Sequence, residues 1–512
     1  MRAAHFNALR VWGGGQYELD CFYDLADQYG ILIWQDFMFA VSFYPVNEEF
    51  IDSVSLEVTD QIWRLQSHPS ILVWAGNNEN ELAWVQGWFK SDYDVDPERY
   101  RQDYLSLYGK IHKIASTLDP DRVFLRSSPN NGPLQEKKGM VSNPASQFYG
   151  DVHFYDYTNN PWSPSSYPIP RCVTEFGQQS FAATETIANT VAPNLTIFAS
   201  DLENRQHHPN GTLQMLGLIL QNLRLPADCA TAQQKCVQLN KTELLPNLIY
   251  LTQVSQAMSI KQQVEHYRRH MSYVEPDGRG QTMCALYWQL NDVWAAPTWA
   301  SIDFDLRWKM LHYYATEFFH PLLVSGYVNE TYLYVYLVSD YSVTVRYATL
   351  IIDFYETDRL TPVKRITQKI SAIKPQKSQF IIKVNLNTSE YESVILARVF
   401  VNFGPKNVIM LKSLKTIEPK MFGDISVGKC AKIQPKMFQI ELRANGGIVP
   451  FVWLSTGNIM GRFSENGFFL LDRIKYINLT VHEPSYTVDM IKNNLYIMTL
   501  KTAYNLNVVD ST

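Results

Sequence analysis

The sequence predicts a (β/α)8 TIM barrel, its first strand missing, followed by two immunoglobulin-like β-sandwich domains. Three observations carry this. Over the first 320 residues, short apolar runs alternate with helical patterns, as βα units do. After 320 the helical period disappears, and short strands separated by turn residues take over. The length of 512 residues, at about 150 per domain, gives room for about three domains. The expected divisions are 1–320, 321–415 and 416–512, the second near 413–425 where Lys, Pro and Gly cluster.

The elements follow in order. Residues 6–11 (FNALRV) read as a strand, closed by Gly13, Gly14 and Gly15. The next helix sets Phe22, Leu25, Ala26 and Tyr29 on one face, and Gly30 fits a left-handed cap. The run 31–34 (ILIW) is apolar throughout, as a strand buried on both faces must be. A helix over 47–66 leads to a strand at 71–74 (ILVW). Asp96 with Pro97 reads as the N-cap and first position of a helix whose apolar stripe is Tyr104, Leu107, Tyr108, Ile111 and Ala115. Strands follow at 123–125, 151–155 and 171–174. A long excursion over 180–246, a helix over 250–270 and a last strand at 284–289 complete the series. That makes seven strands where a barrel has eight. Residues 6–11 are therefore expected to be the second strand. In the remainder, strands are expected at 332–338, 342–347, 380–384, 394–401, 438–442, 451–454 and 476–481.

Composition narrows the function. Apolar residues make up 46% and charged residues 19%, which excludes a disordered or fibrous chain. The net charge is -5 and no basic run occurs, so no nucleic-acid partner is expected. No stretch has the ~18 uninterrupted apolar residues of a membrane span. The chain carries 12 Trp, 30 Tyr and 26 Phe, flat surfaces that suit sugars. Cys21, Cys172 and Cys284 lie in apolar periodic segments and read as buried thiols. Cys229 and Cys236 flank a polar loop, where a bridge and two thiols are equally admissible. Sequons at Asn194, Asn210, Asn240, Asn329, Asn387 and Asn478 favour a lumenal protein, yet residues 1–16 show no signal peptide. The two agree if residue 1 is not the natural start.

In a parallel barrel, reactive groups sit at the C-terminal ends of strands. Those positions hold Arg10 and Trp12; Gln35 and Asp36; Asn77, Asn78, Glu79 and Glu81; His153, Tyr155, Asp156 and Tyr157; Glu175; and Trp288, Asn291 and Asp292. Glu79 and Glu175 stand out as carboxylates among aromatic and amide residues. Such a pair is what glycoside hydrolysis requires: one protonated carboxyl donates to the leaving oxygen, and one carboxylate attacks. Glu81 competes with Glu79 but lies further along the turn. No metal set is expected: His207 and His208 are adjacent, with no carboxylate at ligand spacing. The glycines after Trp12 lack the Lys and Ser/Thr of a phosphate loop, no G-x-S-x-G elbow occurs, which argues against an ester hydrolase, and no cofactor is expected.

The segments NALRVWGGGQYE, GILIWQDFMFA, HPSILVWAGNNENE, GDVHFYDY, TEFGQQS and ALYWQLNDVWAAPTWASID resemble the catalytic barrel of the animal lysosomal β-mannosidases, members of the family-2 glycoside hydrolases. The similarity continues through RWKMLHYYATEFFHPLL and PFVWLSTGNIMGRFSENGFF, and the motifs occur in the right order. The resemblance implies a retaining exo-hydrolase of terminal β-D-mannose, acting on β-mannoside oligosaccharides in the lysosome or after secretion. It implies Glu79 as acid/base, Glu175 as nucleophile, Asn78 on the sugar 2-hydroxyl and Arg10 steadying the nucleophile. Trp12 and Trp288 would wall the pocket, Tyr155 (with Tyr157 as alternate) would lie near the nucleophile, and Asp36 would bind hydroxyls. It also implies a jelly-roll and an immunoglobulin-like domain before the barrel, which this sequence does not contain. Other readings are a different family-2 specificity (β-galactosidase, β-glucuronidase, exo-β-glucosaminidase) or an inert carbohydrate-binding fragment.

Overall fold

The computed structural model describes residues 1–89, 96–132, 137, 139–190, 198–226 and 244–504. Two units separate. The first comprises Met1–Phe154, Pro168–Phe176 and His270–Tyr287; the second comprises Tyr155–Tyr167, Gly177–Arg269 and Trp288–Thr512.

In the first unit β1 (Ala8–Val11), β2 (Leu32–Asp36), β3 (Ile71–Ala75) and β4 (Val123–Leu125) pair side by side in chain order, all parallel. β5 (Val152–Phe154) pairs in parallel with β6 (Val173–Phe176). Ala285 adds a parallel bridge to Val173. This is the strand series of a (β/α)8 barrel. The last run is shorter than the expected 284–289. Leu286 N donates to Val173 O at 2.9 Å, but Gln289 N turns to Trp299 O at 3.3 Å, so the ladder ends there.

Helices fall between these strands: α1 (Asp20–Tyr29), α2 (Glu48–Leu65), α3 (Asn80–Gln86) and α4 (Pro97–Leu118). The Asp96 side chain accepts from Arg99 N at 3.1 Å and caps α4, whose buried face is the stripe read from the sequence. Val54, Val58, Ile62 and Leu65 of α2 meet that stripe together with Ile33, Phe37 and Trp74. Burial of each such side chain contributes roughly 1.5–3 kcal/mol. Trp74 stacks on Phe37 at 5.5 Å and donates its Nε1–H to Asp119 at 2.9 Å, so its one polar atom is satisfied. Gly30 caps α1 at φ 67, as expected. The buried face of α1 is Tyr23 and Ala26, whereas Leu25 and Tyr29 are each 48% exposed. The expected stripe was off because the Tyr23 hydroxyl finds a buried acceptor, Gln35 Oε1, at 2.7 Å.

Cys172 and Cys284 are not thiols. They form a disulfide with Cα atoms 4.7 Å apart, beside the hydrogen bond from Val173 N to Cys284 O. Parallel neighbours bring these two side chains together although 112 residues separate them, which local apolarity could not disclose. Cys21 is an exposed thiol and Cys430 a buried one. Cys229, Cys236, Asn194 and Asn240 lie outside the described residues.

The second unit contains α5 (Leu245–Arg269), buried almost all round, and α6 (Met310–Phe318). Two sandwiches follow. In the first, the sheet β11–β8–β7 (Lys377–Asn385, Tyr332–Ser339, Leu322–Asn329) shares a core with β10–β9–β12–β13 (Lys364–Ile373, Val345–Tyr355, Leu396–Val401, Asn407–Met410). In the second, β14–β15–β19–β17 (Asp424–Gln434, Met437–Asn445, Ile474–Val481, Gly461–Phe463) shares one with β18–β16–β20 (Phe468–Leu470, Val449–Ser455, Tyr496–Met498). Every pairing here is antiparallel. Two short helices, Val488–Asn494 and Leu500–Tyr504, appear where no helical period was read, since each is shorter than two full turns' stripe.

Candidate active site

Five strand ends of the first unit deliver one cluster. Arg10 on β1 is its hub. Its Nε and Nη2 donate to Asp36 Oδ1 and Oδ2 on β2 at 3.2 and 2.7 Å. Nη2 also donates to Asn78 Oδ1 at 2.9 Å, and Nη1 to Glu175 Oε2 on β6 at 2.9 Å. The planar guanidinium suits this role, because its donors leave in fixed directions. Burial works against the Arg10 charge, but Asp36 and Glu175 outweigh it and raise the guanidinium above its ordinary range.

The glycines after Trp12 let β1 end this close to β2. A Cβ on Gly13 would lie 2.5 Å from Phe39 O and 2.6 Å from Phe37 O. Gly13 N instead donates to Asp36 Oδ2 at 3.1 Å. A Cβ on Gly14 would strike the Trp12 ring at 2.1 Å, so the indole lies flat against that glycine.

Glu79 follows β3 through a local distortion. Asn78 bridges Ala40 on one side and Ser128 on the other, and Glu79 N donates to Ser128 O at 2.8 Å. Glu79 itself adopts φ 61, a left-handed conformation that costs a non-glycine residue roughly 1–2 kcal/mol. That conformation ends the strand and starts α3 while leaving the Glu79 carboxyl with the cluster. Burial raises this carboxyl to about 7, against the opposing pull of Arg10 and Asn78.

His153 on β5 stands between the two glutamates. Its Nδ1 lies 2.7 Å from Glu79 Oε1 and 3.6 Å from Glu175 Oε2. Arg10 Nη1, a donor only, approaches Nε2 at 3.3 Å. Nε2 must then accept, which puts the ring proton on Nδ1, facing Glu79. Burial depresses the imidazole to about 4, so it is neutral at ordinary pH. Behind it, Ser128 Oγ lies 3.0 Å from Nε2 and donates to Asp151 Oδ2 at 2.7 Å, as does Thr174 Oγ1 at 2.6 Å.

Glu79, His153 and Glu175 each place one ligand-type atom within 4.8 Å of the others. This is the trio among the described residues with the spacing to hold a cation. The Arg10 guanidinium already lies against two of the three, His153 through Nε2 and Glu175 through Oε2, and brings positive charge to them.

The structure thus brings together Arg10, Asp36, Asn78, Glu79 and Glu175. Asp36 is 1% exposed and spends its carboxylate on Arg10 and Gly13, so it holds the hub and is not open to a sugar hydroxyl as expected. Glu81 faces away, to Arg126 at 2.7 Å and Tyr104 at 3.0 Å. Tyr155 and Trp288 belong to the second unit. There Tyr155 stacks beside Tyr157 at 6.3 Å, and the Tyr157 hydroxyl accepts from Trp299 Nε1 at 2.9 Å. His208 packs against Tyr157 and Trp299 rather than standing free on the surface.

Comparison with known proteins bears on this arrangement. Residues 426–503 match the Ig_mannosidase family of Ig-fold domains. The β-mannosidase of Mus musculus is 39% identical over 484 residues, 91% of this chain. The likeness is to β-mannosidases. A probable β-mannosidase of Caenorhabditis elegans is 35% identical over 97% of the chain. The β-D-mannosidase structure from Dictyoglomus thermophilum superposes with a TM-score of 0.78 at 23% identity, covering 97% of this chain and 56% of its own; this is a likeness of fold. The chain spans about half the length of the β-mannosidases it matches, 53% of the mouse protein and 57% of the nematode one.

Sequence reasoning toward a β-mannosidase passed over His153, Ser128, Asp151 and Thr174. A signal existed for the first: residues i and i+2 of a strand share a face, so His153 and Tyr155 were equivalent choices. The other three lie behind His153; Asp151 and Thr174 stand inside the quoted segments GDVHFYDY and TEFGQQS but were given no role there, and Ser128 stands in none.

Proposed function

We propose that this chain carries the catalytic machinery of a retaining exo-β-mannosidase, which hydrolyses terminal non-reducing β-D-mannose from oligosaccharides. The observation that carries the reading is the oxygen-to-oxygen approach of Glu79 and Glu175 within 4.8 Å. Double displacement needs carboxyls about 5–5.5 Å apart, whereas inversion needs about 6.5–9.5 Å to seat a water.

The roles follow from the surroundings. Glu175 attacks the anomeric carbon; Arg10 fixes one of its oxygens and turns the other to the substrate. Glu79, buried and held near pH 7, still carries a proton on the acid side and gives it to the leaving oxygen. It then takes a proton from the water that releases mannose. Asn78, with Oδ1 tied to Arg10, presents its amide to the sugar 2-hydroxyl. Trp12 is proposed as a pocket wall. Among the described residues no helix is long and apolar enough to cross a membrane, and the sequons support a lumenal or secreted setting.

The test is covalent trapping. A 2-deoxy-2-fluoro-β-mannosyl fluoride should label the full chain once, on the peptide containing Glu175, and a competing β-mannoside should protect it. Labelling elsewhere, or none, overturns the reading.

A further inference from the structure

The six sequons are a motif that the catalytic reading leaves unused, and the fold sorts the four described ones. N-linked transfer needs an accessible asparagine amide and an accessible hydroxyl two residues on. Asn478 fails the first condition. It is half-buried in the middle of β19, between β15 and β17, and its Oδ1 accepts from Gln439 at 3.4 Å. Asn210 fails the second: it begins a helix, and Thr212 is 7% exposed with Oγ1 enclosed. Asn329 and Asn387 meet both. Asn329 and Thr331 are exposed in the β7–β8 turn, where Glu330 takes φ 53. Asn387 and Ser389 are exposed just past the end of β11.

These two sites are neighbours. Leu386 N donates to Thr331 O at 2.7 Å, so both sequons stand at one end of the sheet β11–β8–β7. β7 and β11 are the outer strands of that sheet. Outer strands offer unpaired backbone groups to passing chains, and proteins cover them. Asn329 pairs across the turn with Tyr332, whose half-exposed ring carries Lys383 Nζ at 3.8 Å. Directly paired residues leave one face of a sheet. A sugar on Asn329 therefore starts beside an aromatic ring.

We propose that Asn329 and Asn387 are N-glycosylation sites whose glycans cover both outer strands of this sheet. In the transfer, each Asn Nδ2 bonds to the anomeric carbon of an oligosaccharide. The donor is an oligosaccharyl pyrophosphoryl lipid: its C1–O bond breaks, the lipid pyrophosphate leaves, and the amide proton passes to a base of the transferase. The proposal uses the lumenal setting given above and is independent of the catalytic roles.

The experiment is glycopeptide mapping of the full chain isolated from the cells that make it. Enzymatic deglycosylation in heavy-oxygen water should convert Asn329 and Asn387 to labelled Asp and leave Asn210 and Asn478 as Asn. In those cells Thr331→Ala and Ser389→Ala should each remove one glycan's mobility shift, and Asn478→Gln none. Unmodified peptides at both sites with label elsewhere overturn the assignment of sites. No label anywhere overturns the proposal together with the lumenal setting, whereas the trapping of Glu175 is unaffected by either result.

Discussion

Two enclosed glutamates in this molecule are shifted in opposite directions, and their neighbours explain why. Glu265 on α5 is 1% exposed, and burial alone would raise it. Lys261 Nζ at 2.7 Å, Arg269 at 3.9 Å and the Ser325 hydroxyl at 2.7 Å overcome that and hold it below the ordinary range. Glu79, its side chain 13% exposed, is somewhat less enclosed, but it touches a neutral imidazole, and its Arg10 charge is shared with Asp36 and Glu175. It rises to about 7. Burial is common to both; a cation committed to the carboxylate separates the structural glutamate from the one able to hold a proton.

The contrast can be broken from either side. The largest effect is expected at the cluster: Glu175→Gln should lower turnover of an aryl β-mannoside at least about a thousandfold, read from kcat, with the fold unchanged by circular dichroism. Next, Lys261→Met should strip the buried Glu265 of its 2.7 Å cation, leaving Arg269 at 3.9 Å as the remaining charge partner, and cost about 3 kcal/mol in urea unfolding. Arg10→Lys should lower kcat/KM about a hundredfold, because a point charge cannot serve Asp36, Asn78 and Glu175 together.

The smallest effect is in pH. Activity should fall about tenfold per unit above pH 7 as Glu79 loses its proton, and Glu79→Gln should remove that limb from the kcat/KM profile. Stability should follow the same groups with opposite signs. Glu79 is raised from 4.5, so its contribution is full below pH 4.5 and is lost as pH rises through about 7. Glu265 is lowered, so its contribution is full above pH 4.5 and is lost as pH falls through its folded value. Unfolding of Glu79→Gln across pH 4–8 reads the first, and of Glu265→Gln from pH 7 down to about pH 2 the second.

The first unit was the more legible. Parallel strands announce themselves as apolar runs, although Leu32, Leu72 and Val123 near the starts of β2, β3 and β4 are exposed, and the α4 stripe and Asp96 cap need only local rules. The last strand was overestimated because apolarity continues past Leu286 while pairing does not. The carboxylates could be found from position, but His153 could not be chosen over Tyr155, since alternation alone makes them equal. α5 shows another limit: it is buried all round, yet Gln253, Gln256 and Lys261 face the interior, satisfied by distant groups such as Phe181 O and Gln178 O. The Cys172–Cys284 pairing likewise depends on which strands become neighbours.

That disulfide has a practical meaning for anyone handling the protein. Cys172 lies three residues before Glu175, so a covalent thread fastens the strand of that glutamate to the segment that closes the series. Cytoplasmic production or a thiol-containing buffer yields a chain with that thread cut. Two laboratories assaying the same sequence would then be studying different molecules, and the oxidation state of two cysteines must be stated before their rates are compared.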